Sequence, residues 1–349
     1  MIAVGTSTPA RAFSEHPQHG SQRRVSTETT VSPKILTPDT NAIGKAVWAL
    51  ASGELVAFPT ETVYGLGADA RNGRAIASIY ETKGRPSFNP LIAHVTGIDA
   101  AREAGGMFDE RAVKLAKAFW PGPLTLVVPC TADCAVHELA RAGLDTLALR
   151  APAHPVAQKL LDEFGAPVVA PSANKSGHVS PTRAEHVASD LTEGVSIILD
   201  GGPTEVGVES TVVACLPGEP VRLLRPGGVT REEIERVTGE VLGEASEAVQ
   251  SPGMLAQHYA PRAAVRLNAT EIAGGEAWLG FGEIAPLGGR GIAHLNLSPT
   301  GDLAEAAANL FAYLRELDAL APTAIAVAAV PDTGLGEAIN DRLRRAATR

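Results

Sequence analysis

Short apolar runs of three to five residues recur along this chain, separated by amphipathic helical stretches or by Gly/Pro turns. This alternation constrains the fold more than any other feature. Residues 54–58, 91–95, 124–128, 146–150, 168–170, 197–199, 211–213 and 221–224 are too short for helices and read as buried strands. Between them lie helical patterns. In residues 39–52, Ile43, Val47 and Leu50 share a face, Thr37 or Asp39 suits the cap, and Gly53 suits the stop. Residues 74–82, 109–120, 155–164 and 230–237 follow the same logic. Pro155 opens one of these helices with Gly165 after it, and an acidic first turn opens the last. Strands mixed with helices in this way predict an α/β or α+β domain over residues 34–238.

The flanking segments differ. Residues 1–33 are rich in Ser, Thr, Pro, His and Gln with little apolar periodicity, and read as a disordered N-terminal extension. Residues 239–261 begin small and acidic and end in SPGMLAQHYAP, bracketed by prolines. They read as a linker with a functional role. Strand patterns at 264–267, 277–281 and 324–328, with helical patterns at 303–317 and 335–347, predict a smaller α/β domain over residues 262–349.

Composition excludes several classes. With 30 basic and 39 acidic residues the net charge is −9, so a uniformly basic nucleic-acid coat is excluded while a local basic cleft is not. Aromatics at 4% argue against an extended base-stacking surface. No apolar run approaches the roughly 18–20 residues of a membrane span. Cys130, Cys134 and Cys215 have neither the number of a disulfide framework nor the spacing of a zinc site. A reducing, cytoplasmic setting and no membrane association are expected.

Two nucleotide-binding signatures fail. Gly65-Leu66-Gly67-Ala68-Asp69-Ala70 fits the dinucleotide fingerprint G-x-G-x-x-A, but Pro59-Thr60-Glu61-Thr62 separates it from the preceding strand. No Walker pattern occurs, and all seven lysines lie at or before Lys175. A different cradle is needed. FPTETVYGLG (58–67) places hydroxyls and a carboxylate at a strand end. Lys83-Gly84-Arg85-Pro86 sets two cations on a shaped turn suited to a polyphosphate, although a helix C-terminus also attracts cations. His94 lies in the apolar LIAHV, where a packed core histidine is the plainer reading. Ser172, Asn174 and Ser176 in APSANKSG, with Glu209-Ser210-Thr211, Arg225 and Arg150, repeat the theme of a polar group at a strand edge. Arg342, Arg344 and Arg345 read as a basic helix end, explained by the dipole or by a weak RNA contact.

In order, FPTETVYGLG, KGRPSFNPLIAH, WPGPLTLV, TLALRAPAHP, APSANKSGHVSPT, ESTVV and LLRPGG resemble the YrdC-like family of threonylcarbamoyl-AMP synthases over about residues 36–238. SPGMLAQHYAP and the small domain over residues 262–349 resemble the long, two-domain version. The resemblance implies a twisted mixed α/β sheet with a large cavity, plus a small C-terminal Rossmann-like domain. It implies L-threonylcarbamoyladenylate synthase activity: L-threonine, bicarbonate and ATP, with Mg²⁺, yield threonylcarbamoyl-AMP and pyrophosphate. A downstream tRNA threonylcarbamoyl transferase complex would then modify the adenosine 3′ of the anticodon, and a weak tRNA contact is expected.

By this resemblance Lys83 and Arg85 are the catalytic cations. Arg85, Asn89, Thr146, Asn174, Thr182, Arg225 and Tyr259 bind ATP, with Ser180 as the alternative to Thr182. Thr60, Thr62, His94, Arg150, Ser172 and Ser210 bind threonine. No protein-ligated metal is expected. Two rivals stand beside this reading. One is a noncatalytic RNA-binding module of the same fold. The other is a carbamoyl-transfer domain like that of hydrogenase-maturation proteins, whose acylphosphatase and zinc-finger regions this chain lacks.

Overall fold

A computed structural model describes residues 33–244, 259–283 and 285–348. Nearly all of the expected N-terminal extension, and residues 245–258 of the expected linker, lie outside them.

The chain opens with β1 (Lys34–Leu36) and α1 (Thr40–Ala51); the Asp39 carboxylate caps α1, accepting from the Ala42 N–H at 2.7 Å. The hairpin of β2 (Val56–Pro59) and β3 (Tyr64–Asp69) leads to α2 (Gly73–Lys83), β4 (Ile92–His94) and α3 (Ile98–Glu103). Then come α4 (Glu110–Phe119), β5 (Leu124–Pro129), β6 (Thr146–Arg150), α5 (Pro155–Phe164) and β7 (Val168–Val169). Next are α6 (Ala184–Asp190), β8 (Ile197–Leu199), β9 (Thr211–Ala214), β10 (Arg222–Arg225), α7 (Arg231–Thr238) and β11 (Gly243–Glu244). These strands form one mixed sheet in the order β1-β8-β2-β3-β7-β4-β6-β5-β9-β10-β11.

The side-chain period of two divides the centre of this sheet. Leu126, Leu147, Leu149 and Val213 face the main helix-covered core, while Val127, Ala148, Val212 and Ile92 form a small separate cluster. Ile92 pairs with Ala148 and His94 with Arg150, so the last residues of β4 and β6 carry a histidine and an arginine side by side beyond an apolar floor.

The later residues supply β12 (Ala264–Arg266), β13 (Glu271–Ile272), β14 (Ala277–Gly280), β15 (Leu287–Gly288), β16 (Ala293–Asn296), α8 (Leu303–Ala319), β17 (Ala324–Val327) and α9 (Leu335–Ala347). Four of the strands make a parallel sheet ordered β12-β17-β14-β16, and β13 and β15 pair separately. Leu310, Phe311 and Leu314 of α8 pack with Leu279, Ile325 and Val327, and Val63, Val179 and Val208 from the earlier residues join the same core. Polar ties reinforce this junction. Arg315 of α8 holds Asp190 at 2.7 Å and donates to the Val179 carbonyl; Arg231 holds Glu337 at 2.8 Å.

The glycine-rich stretch 65–70 is strand, not a phosphate loop: β3 covers nearly all of it, antiparallel to β2. A Cβ on Gly67 would lie 2.8 Å from the Phe58 ring. That glycine therefore serves the close approach of two strands. The elements absent from the sequence reading are mostly brief, such as β1, α3, α6 and β16. The seven-residue α6 buries only Ala184 and Val187, too little to print an amphipathic period.

Candidate active site

Strand ends and turns of the large sheet converge on one cavity of about 50 Å³, lined among others by Thr60, Arg85, His94, Arg150, Ser172, Ser210, Arg225 and Tyr259. All eight are among the residues singled out in the sequence. Thr60 comes from the β2–β3 turn, where its hydroxyl donates to the Val63 carbonyl at 2.7 Å and lies 2.8 Å from the Thr62 hydroxyl. His94 and Arg150 end β4 and β6, Ser210 precedes β9, and Arg225 ends β10.

Arg150 is 4% exposed yet fully engaged on one side. Its Nη2 meets Glu61 Oε1 at 2.5 Å and its Nε donates to the Gly122 carbonyl at 3.3 Å, while Glu61 Oε2 accepts the Ala153 N–H at 3.0 Å. Burial works to raise the Glu61 pKa, but Arg150 together with backbone N–H groups, that of Ala153 among them, outweighs it and the carboxyl is held below its usual range. This pair fixes the guanidinium plane before any ligand arrives, and two buried charges without each other would be strongly unfavourable. Burial, reinforced by Arg150, depresses His94 to about 3, so the imidazole is neutral. Its Nδ1 is buried with no partner among the described residues.

Lys83 and Arg85 straddle the end of α2, which Gly84 closes with φ +60°. The Lys83 ammonium donates to the carbonyls of Ser172 (2.6 Å) and Asn174. It thus ties the helix end to the loop after β7. Burial, and after it Arg85, lowers its pKa well below the ordinary value. Arg85 donates from Nη2 to the Pro90 carbonyl at 3.1 Å, and its buried Nε has no partner among the described residues. Burial brings its pKa to about 10, which leaves it cationic at neutral pH.

Asn89 is completely buried and neither amide atom has a protein partner among the described residues. Buried polar groups are normally satisfied, so this amide is a donor–acceptor pair waiting for a ligand or water. Asn174 resembles it on one atom: its Nδ2 donates to the Lys175 and His178 carbonyls, while its Oδ1 accepts from no described group.

Other residues named from the sequence stand back from the wall. Thr62 sits behind Thr60. Thr146 opens β6, four residues or about 13 Å before Arg150 along an extended strand. Thr182 is buried, with its N–H donating to His186 Nδ1 at 3.3 Å. The Ser180 hydroxyl is taken by Glu209 Oε1 at 2.5 Å. Ser210 and Arg225 act as one unit: Arg225 donates twice to the Ser210 carbonyl, at 3.1 and 2.9 Å, and once to its hydroxyl at 3.1 Å. Thr125 lies 2.8 Å from that hydroxyl.

Tyr259 is the first described residue after the gap and is 1% exposed. Its backbone sits at φ +63°, a costly conformation for an aromatic residue. Phe311 stacks on its ring at 5.4 Å and the Arg342 guanidinium lies 5.3 Å from it.

Three contributors escaped the sequence reading. Glu61 and Glu209 were visible within quoted motifs, but their partners lie 89 and 133 residues away. The reading of Arg342 as part of a basic helix end, explained by the dipole or a weak RNA contact, is corrected: its side chain is 0% exposed and bonds Glu209 at 2.8 Å. The signal was its position on the apolar side of α9 with Ile339, Leu343 and Ala346.

Among the described residues no group of three or more His, Cys, Asp or Glu is arranged to hold a metal ion, and no helix is long and apolar enough to cross a membrane.

Comparisons with known proteins cover most of the chain, from residue 48 to residue 348 for the family profiles. A family profile described as Telomere recombination (Sua5, YciO, YrdC) matches residues 48–227. A second, described as Threonylcarbamoyl-AMP synthase, C-terminal domain, matches residues 229–348. The threonylcarbamoyl-AMP synthase of Bacillus subtilis is 44% identical over 325 residues, 87% of this chain and 92% of that protein. That of Pyrococcus abyssi is 42% identical over 314 residues, 85% and 91% of the two chains. The crystal structure of P. abyssi Sua5 complexed with L-threonine matches with a TM-score of 0.79 at 40% identity, covering 87% of this chain and 94% of that one.

Proposed function

Because the chain belongs to the Sua5/YciO/YrdC family of threonylcarbamoyl-AMP synthases, in the form with a C-terminal domain, we propose that its cavity joins L-threonine, bicarbonate and ATP. The activity is threonylcarbamoyl-AMP synthesis, a nucleotidyl transfer. The observation that carries the residue assignment is the single wall on which Arg85, Arg150 and Arg225 meet His94, Ser172 and Ser210.

Arg150, aligned by Glu61, takes the threonine carboxylate. The hydroxyls of Thr60, Ser172 and Ser210 and the neutral His94 surround the amino acid, with Thr62 supporting Thr60. The amine, once unprotonated, attacks the carbon of bicarbonate; a C–O bond breaks and water leaves with one amine proton, giving a carbamate whose oxygen attacks the α-phosphorus of ATP as the bond to pyrophosphate breaks. Charge builds on phosphate oxygens, and Arg85 and Arg225 face it. Asn89 and Asn174 meet the nucleotide, while Thr146 and Thr182 or Ser180 lie further along its path. Lys83 holds the 172–174 loop, and with it Ser172, in place.

The cationic wall suits a polyphosphate that brings its own metal. Mg²⁺ bound to ATP would neutralise phosphate charge from the nucleotide side. Tyr259 lines the cavity, and its withdrawal and return would admit the nucleotide and then exclude water from a labile carbamate. The division into a catalytic part (34–238), a linker (239–261) and a C-terminal part (262–349) serves this cycle. The product passes to a tRNA threonylcarbamoyl transferase complex in the cytoplasm.

The test is pyrophosphate release from ATP by the purified protein with threonine and bicarbonate each omitted in turn. Release that needs both supports the reading. Release needing neither, or none from folded protein, overturns it; salt-sensitive tRNA binding without release would point to an RNA-binding module.

A further inference from the structure

The cavity wall contains a carboxylate that an ATP site would not choose. Glu209 lines the cavity beside Arg85, Arg150 and Arg225. An anion here repels a triphosphate in a medium where charges are weakly screened. Yet Glu209 is compensated from outside the large sheet. Its Oε2 accepts from Arg342 Nε at 2.8 Å, and its Oε1 accepts from the Ser180 hydroxyl at 2.5 Å. Arg342 belongs to α9, 133 residues further along the chain, and its side chain is completely buried. It also donates to the Pro226 carbonyl at 2.9 Å, next to Arg225, and to Asp341 at 2.7 Å. Its guanidinium lies over Tyr259 at 5.3 Å.

We infer that Arg342 is a positioning residue for nucleotide binding: it neutralises Glu209, so that the wall around Arg225 presents net positive charge to the phosphates of ATP. The helix α9 thereby contributes a charge to a site that none of the C-terminal strands line. Burial opposes ionisation of Glu209, but Arg342 and then Arg225, with the Ser180 hydroxyl, bring it to about 2. The carboxylate is thus charged throughout the working range. Removing Arg342 would leave that charge facing Arg225, the other cation that lowers it, and facing the incoming triphosphate. The inference rests on the proposed ATP reading of the cavity.

Charge separates this role from a structural one. ATP carries several negative charges, whereas threonine is a zwitterion with no net charge. Pyrophosphate release by full-length protein would be measured for wild type, R342M, E209Q/R342M and R342K, with folding checked by circular dichroism. Methionine keeps length and packing without charge. R342M should raise KM for ATP about tenfold or more, and KM for threonine less than about threefold. E209Q/R342M, which removes the uncompensated anion, should bring KM for ATP back to within about threefold of wild type. A parallel rise in both KM values, no change, or a folded double variant no better than R342M overturns the inference. Should R342M not fold, R342K carries the test: a tenfold loss of ATP affinity despite the retained charge overturns it, and affinity near wild type supports it. Wild-type protein that releases no pyrophosphate sinks the functional reading as well; normal wild-type turnover with an unrescued R342M sinks only the role of Arg342.

Discussion

The two sheets of this protein treat charge in opposite ways. The large mixed sheet and its turns bury Lys83, Arg85, Arg150, Arg225, Glu61 and Glu209. The four-stranded C-terminal layer is apolar inside, and its buried ions among the described residues are Glu276, tied to the half-exposed Arg266, and Arg342. Arg342 does not serve its own layer but points across to Glu209. One region concentrates buried charge around the candidate site, at a cost in stability. The other supplies packing, and through Phe311 and Arg342 it holds Tyr259 against the site. Buried ions are expensive unless paired, so their concentration in one region marks where ligand binding offsets the cost.

Four measurements would break or sharpen this contrast. The largest expected effect is on packing. Phe311→Ala removes the ring stacked on Tyr259 and should lower unfolding free energy by about 3–5 kcal/mol in urea titration. A loss below about 1 kcal/mol would mean the C-terminal core does not set the position of Tyr259. Next, Arg85→Ala should reduce threonine-dependent pyrophosphate release by roughly 10²–10³-fold with its circular dichroism unchanged. Near-normal turnover would remove Arg85 from the cradle.

Glu61→Gln comes third. It keeps one acceptor for Arg150 but removes the charge, so KM for threonine should rise roughly tenfold, with a stability loss of about 1–3 kcal/mol. An unchanged KM would show that Arg150 needs no alignment.

The last measurement is a pH slope, small within any one pH unit. His94 sits near 3 when folded against an ordinary 6.5, so its contribution to stability is complete above 6.5 and is lost as pH falls toward 3. His186, which burial lowers to about 4, acts in the same direction. The urea midpoint should decline as pH falls below about 6.5, and His94→Asn should flatten that decline. An equally steep slope in the variant would place the titrating group elsewhere.

Much of the cavity lining was legible because its residues sit in compact motifs. Thr60, Arg85, His94, Arg150, Ser172, Ser210 and Arg225 each stand at the end of a short apolar run or in a Gly/Pro-shaped turn. A strand end is where a side chain leaves the core. The resemblance then supplied roles that the residue types left open. It marks Asn89 as an ATP contact, but the complete burial of that amide without a partner could not be read from its neighbours. The same holds for the engagement of Lys83 with two carbonyls of a loop about ninety residues away.

By itself the sequence determined the alternation of strands and helices, the helix stop at Gly165, and the polar residues at strand ends, and it narrowed the first helix cap to Thr37 or Asp39. These follow from periods of 2 and 3.6 and from local backbone preferences, which act within a few residues. Only the tertiary structure decided that the glycines of 65–70 sit in a hairpin, that Glu61 meets Arg150, and that a helical arginine near the C-terminus crosses to Glu209. Those outcomes depend on which distant surfaces pack together. A guanidinium is dipole-stabilised and exposed or ion-paired and buried according to that packing, and its sequence neighbours are the same in both cases.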